Sequence, residues 1–137
     1  EDHEIPHRQD HIVECRNGTP EEAERVMTHL LEQGLPIDGV FANNDMAALG
    51  ALKAVQKAGL DSPKDIAIIG FSDWQFSSML NPSLSSVSQP GYEIGREAAR
   101  LILDEINSKG KNKGHVSILD TSLVIRESSD RSKVLIS

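Results

Sequence analysis

Two short apolar runs, each ending abruptly in polar residues, constrain the fold of this chain most. The first is Gly39-Val-Phe-Ala-Asn-Asn-Asp45 and the second is Ile66-Ala-Ile-Ile-Gly-Phe-Ser-Asp73. An apolar run that stops in polar residues is how a buried parallel strand finishes at the edge of its sheet. One helical stretch, from about Asp45 to Ala58 with Gly59 as its stop, separates the two runs. A strand-helix-strand unit brings both strands out in the same direction, so their polar ends must lie side by side. Open sheets of this kind bind ligands beyond the carboxyl ends of their strands. Asn43, Asn44, Asp45, Ser72, Asp73 and Trp74 are therefore the first candidates for function.

The rest of the chain fits the same plan. Residues 1–10 read as an exposed lead-in, and His11–Cys15 as a short strand. Thr19-Pro-Glu-Glu22 is a helix start, with Thr19 as cap, Pro20 in the first turn and Glu22 three residues on. Ala23, Val26, Met27, Leu30 and Leu31 then form one apolar stripe, Gly34 ends the helix and Pro36 prevents its resumption. Strands are expected at Gly39–Ala42, Asp65–Gly70 and Leu84–Ser88, the last broken by Pro90. Between Phe71 and Pro82 the chain reads as irregular, with one helical turn near Gln75–Met79. A helix from about Tyr92 to Asn107 carries Ile94, Ala98, Leu101, Ile102 and Ile106. Residues 109–114 read as a basic solvated loop, His115–Arg126 as a long final strand, and the remainder as a polar tail.

This order predicts an α/β doubly wound sheet. Strands laid down in sequence with right-handed crossovers place both helices on one face. Yet Ile66, Ala67, Ile68 and Ile69 are apolar on both faces. Cover for the second face must come from a reversal of strand order, from the last helix, or from a further segment or partner.

Composition removes several function classes. A chain of 137 residues fits one domain, and no run approaches the roughly 20 apolar residues of a membrane span. Its net charge of −7 argues against a phosphate-binding face on this segment. No signal-peptide pattern is visible, and a single Cys15 excludes an internal disulfide and fits a reducing cytoplasm. The chain starts within a polar stretch without an initiator Met, and is read as a piece of something longer. His3, His7 and His11 are spaced by four, but Pro6 interrupts any helix there, so exposed loop histidines are expected and no metal. There is no Walker-type loop, no G-x-S-x-G elbow and no paired Cys, so neither a cofactor nor catalysis is expected. Asp45 and Asp73 could approach one another as a carboxylate pair, with no nucleophile or oriented base to accompany them.

Five segments in order resemble LacI/GalR-type bacterial transcription regulators. They are Phe41-Ala-Asn-Asn-Asp-Met-Ala-Ala-Leu-Gly-Ala-Leu52, Asp65-Ile-Ala-Ile-Ile-Gly-Phe-Ser-Asp73, Pro82-Ser-Leu-Ser-Ser-Val-Ser-Gln-Pro90, Gly95-Arg-Glu-Ala-Ala-Arg-Leu-Ile-Leu103 and Leu123-Val-Ile-Arg-Glu-Ser128. The resemblance implies a periplasmic-binding-protein type I-like fold, with a mostly parallel, Rossmann-like sheet in each of two lobes and a ligand cleft between them. On that reading, residues 1–90 belong to an incomplete carboxyl-terminal lobe. Residues 91–114 are a helix and loop bordering or belonging to the amino-terminal lobe, and residues 115–137 are the closing strand and tail. It further implies a cytoplasmic homodimer, a small-molecule effector of saccharide or polyol type, and operator DNA bound through a domain absent from this chain. The rival readings are a periplasmic sugar-binding protein of a transport system and an enzyme on a Rossmann-like sheet.

The resemblance also implies site residues. Asn44 occupies the place of a cleft asparagine whose amide can donate to one ligand hydroxyl and accept from another; it is equally suited to cap the following helix. Asp45 reads first as part of that cap. Where relatives carry Asp directly after Gly-aromatic, this chain has Ser72 and then Asp73. Either the carboxylate has moved by one residue or the Ser72 hydroxyl takes its place. Trp74, grouped with Phe71 and Phe76, could stack on a sugar face or pack beneath the cleft. Gln89 matches a crossing strand, as a hinge or cleft contact. Gly18 falls where relatives often carry an aromatic residue, which would leave that wall of the pocket open.

Overall fold

The computed structural model describes residues 11–108 and 115–132; the expected lead-in, basic loop and end of the tail, with His3 and His7, lie outside them. Helix α1 spans Pro20–Glu32, β1 Gly39–Phe41, α2 Asp45–Lys57 and β2 Ala67–Ser72. A 3-10 turn at Gln75–Met79 leads to β3 at Ser85–Ser88, α3 at Gly91–Asn107 and β4 at Ser122–Val124. The sheet order is β1-β2-β3-β4, with the first three strands parallel and β4 antiparallel to β3.

Local chemistry sets the helix ends. Thr19 Oγ1 accepts from the Glu22 N–H at 3.3 Å, which opens α1 as expected. The Glu22 carboxylate does not close a capping box on Thr19. It reaches further back to the Arg16 and Asn17 N–H groups, at 3.0 and 2.7 Å. The Asn17 amide, helped by those of Arg16 and Gly18, holds Glu22 below the usual carboxylate range. Gly34 and Gly59 end α1 and α2 at φ +67° and +74°, backbone that L side chains avoid.

One face of the sheet is closed by these helices. Ala48, Leu52 and Val55 of α2 are buried with Ile66, Ile68 and Leu84, and α1 adds Ala23 and Met27. The two helices approach closely at Gly50, where a Cβ would come within 2.2 Å of the Pro20 carbonyl oxygen. The described helices leave the other face partly open. Registers place Phe41, Ile69, Phe71, Val87 and Leu123 on it, and Phe41 and Leu123 are 66% and 52% exposed. Among the described residues no strand reversal covers this face, and α3 has no buried residue. Ile94, Ile102 and Ile106, apolar residues that mark this helix in the sequence, are all exposed.

Three strand expectations are corrected. His11–Cys15 forms no strand; it runs beside β1 across an apolar groove of about 810 Å³ lined by Ile12, Val13, Met27, Leu30 and Val40 among others. Strand β2 starts two residues later than expected, because Asp65 and Ile66 fold back as a turn onto the Asp61 carbonyl. The expected long strand 115–126 shrinks to Ser122–Val124, which is all that pairs with β3. Beyond it the chain returns to the amino ends of β2 and β3. Ile68 N donates to the Ser128 carbonyl at 2.8 Å, and Ser128 Oγ donates to the Ile68 carbonyl at 2.6 Å.

Candidate functional site

The geometry at the carboxyl ends of the parallel strands follows from their register. Ser72 stands opposite Ser88, so β2 and β3 end together. Strand β1 stops at Phe41, and Ala42 N still bonds the Ile69 carbonyl at 2.9 Å before the chain turns into α2. The tips therefore share one edge, as the sequence required.

Asn44 is the N-cap of α2. Its Oδ1 accepts from the Ala47 N–H at 2.7 Å, and its Nδ2 donates to Asn43 Oδ1 at 3.4 Å. The cap uses the oxygen and leaves the NH2 side turned outward towards Gly18, where a Cβ would sit 3.3 Å from Nδ2. Gly18 has φ +61° and leaves open the ground beside that amide.

Asp45 is buried, at 1% exposure, and is a hub. Its Oδ1 accepts from Ser86 Oγ at 2.6 Å; its Oδ2 accepts from Ser77 Oγ and from the Trp74 N–H, both at 2.7 Å. Three donors satisfy the carboxylate oxygens without a cationic partner. Asp73 is also engaged. Arg126 Nη2 donates to its Oδ1 at 2.7 Å, with both side chains about one-fifth exposed. Its own N–H donates to Ser86 Oγ at 3.0 Å. Neither carboxylate stands as a free acid-base pair.

The neutral groups are less committed. Ser72 Oγ donates to Gln89 Oε1 at 3.2 Å, joining the ends of β2 and β3 at the exposed edge. Trp74 is 54% exposed and meets Phe76 edge-on, with centroids 5.8 Å apart. Phe71 is not part of that cluster; strand alternation turns it to the open sheet face, beside Val87. The structure thus brings Asn44, Ser72, Asp73, Trp74 and Gln89 to one edge and sets Phe71 apart. Sequence reading missed Ser77, Ser86 and Arg126, which hold this edge. The only local signal was the serine-rich run Ser83-Leu-Ser-Ser-Val-Ser88.

A sheet whose parallel strands end together on a polar edge, backed by helices on one face, is the arrangement in which open α/β sheets bind ligands beyond their strand ends. The family model of the periplasmic binding protein-like domain matches residues 2–129. The chain belongs to that family, in the form found as the effector-binding domain of LacI-family regulators. Over 111 residues it is 38% identical to the HTH-type transcriptional repressor CytR of Escherichia coli, a stretch covering 81% of this chain and 32% of that one. A solved LacI-family regulator from Sanguibacter keddieii superposes with TM-score 0.86 at 30% identity, covering 92% of this chain and 48% of that one. The cellobiose complex of the transcriptional regulator CelR gives TM-score 0.75 at 33% identity, covering 81% and 34%. The chain spans about a third of the length of the curated relatives it matches. Those relatives are regulators rather than transport components or enzymes, and against their effector domains the present sheet is incomplete.

Proposed function

We propose that this chain forms one wall of an interlobe cleft in a ligand-responsive, DNA-binding transcriptional regulator, and that its effector is a neutral saccharide or related polyol. Residues 1–90 belong to the carboxyl-terminal lobe, residues 91–114 border or join the amino-terminal one, and residues 115–137 supply the closing strand and tail. The exposure of every apolar position but Leu101 on the expected α3 stripe supports that division. Effector binding favours one arrangement of the lobes, to the extent that it binds that arrangement better. The shift reaches operator DNA through a domain outside this chain, in a cytoplasmic homodimer. The role is binding and not catalysis.

One observation carries the reading of the site: the ends of β2 and β3 lie together beside the capped Asn44, presenting an amide, a Ser72–Gln89 pair and an exposed indole on one edge. A sugar offers hydroxyls that both donate and accept, and an apolar ring face; amides, hydroxyls and an indole answer both. Solved relatives hold lactose, cellobiose and ribose, which supports the saccharide class.

Calorimetric titration of the full-length regulator with lactose, cellobiose and ribose tests the site. Asn44→Ser keeps a good helix cap but loses the amide, so it should weaken the bound sugar by at least about tenfold at unchanged stability. An affinity equal to the parent's would remove Asn44 from the site. No heat with any saccharide would overturn the effector class.

A further inference from the structure

Two successive non-glycine residues at the polar edge have left-handed backbone, Ser72 at φ +104° and Asp73 at φ +50°. L side chains avoid such backbone, and it persists only where surrounding contacts over-determine it. Three contacts do so here. Asp73 N–H is held by Ser86 Oγ, the Asp73 carboxylate by Arg126, and the Trp74 N–H by Asp45. Two of these lead back to Asp45, because Ser86 Oγ itself donates to Asp45 Oδ1. Ser77, at the far side of the loop, donates to the same carboxylate.

The sheet makes room for this arrangement. A Cβ at position 70 would lie 2.2 Å from Asp45 Oδ1, so only the glycine of β2 lets the carboxylate reach across to β3. A residue serving only the helix dipole could point into solvent and needs no donors from a distant loop. Asp45 instead spends both oxygens on residues 29 to 41 positions away.

We propose that Asp45 is the positioning residue of the binding edge. Through one buried carboxylate it fixes the Trp74 loop to the same helix turn that carries Asn44, and so sets the distance between the indole and the cleft amide. That role rests on the effector-face reading above, but its test needs no effector, so the two can fail separately. Trp74 is the only tryptophan of the chain, and its emission reports this loop alone. The variants Asp45→Ala and Asp45→Asn are compared with Val55→Ala, a core truncation of α2 remote from the loop.

Two readouts on the full chain decide: exchange of the Trp74 amide relative to the Ile68 amide of β2, and Trp74 fluorescence anisotropy. In Asp45→Ala the exchange ratio should rise by at least about tenfold and the anisotropy should fall, with Asp45→Asn intermediate. Val55→Ala should speed both amides together and leave the anisotropy alone. Should Asp45→Ala fail to fold, Asp45→Asn decides by the same measures. An unchanged ratio and anisotropy in the folded Asp45 variants would overturn the proposal and leave Asp45 a helix-start residue only.

Discussion

Ser72 shows how a single residue carries information that no local pattern predicts. Nothing in Gly70-Phe-Ser-Asp73 announces a φ of +104° on a serine; the cause lies far along the chain, in Ser86, Asp45 and Arg126. Asn44 is the opposite case, because its capping bond to Ala47 is made three residues along the chain and was legible. The strain at Ser72 has a measurable consequence. Ser72→Gly should stabilise the fold by about 1 kcal/mol, since glycine adopts that backbone without penalty and this outweighs its extra unfolded-state entropy and one exposed hydrogen bond to Gln89. Urea unfolding reads the change; a lowered midpoint at unchanged slope would show that the serine is unstrained.

At the scale of elements, helices were more legible than strands. Thr19, Gly34, Asn44 and Gly59 punctuate α1 and α2 through contacts within a few residues, and the observed ends fall on or next to them. Strands are defined by partners, so β2 slipped by two residues and most of the segment 115–126 proved unpaired. What the periodicity of α1 and α2 does not reveal is how close they come. Gly50 in mid-helix looks like a residue that alanine would improve by about 1 kcal/mol. The Pro20 carbonyl 2.2 Å from its would-be Cβ reverses that sign, because backbone must move. Gly50→Ala should cost about 2 kcal/mol net, visible as a drop in Tm. A rise would mean that the two helices are free to separate.

For the whole molecule, the decisive contact is the return of the segment around Ser128 to β2 and β3. Ser128 is fully buried; its hydroxyl donates to Ile68 in β2 and accepts from Ser85 N in β3, contacts spanning 60 and 43 residues. Ser128→Ala leaves a buried N–H and a buried carbonyl short of a partner, and should cost about 2 kcal/mol. If chemical unfolding gives an unchanged midpoint, the segment around Ser128 is not part of the cooperative unit. The sequence by itself determined the α/β class, the helix ends and the edge on which function is sought, because apolar runs, caps and stop signals act over a few residues. Only the tertiary structure decided that Asp45 is a buried anchor, that Asp73 is held by Arg126, that Phe71 faces away, and that the described helices cover only one side of the sheet. Those outcomes depend on which distant segments meet, and a hydrogen bond across forty residues leaves no periodic trace in the chain.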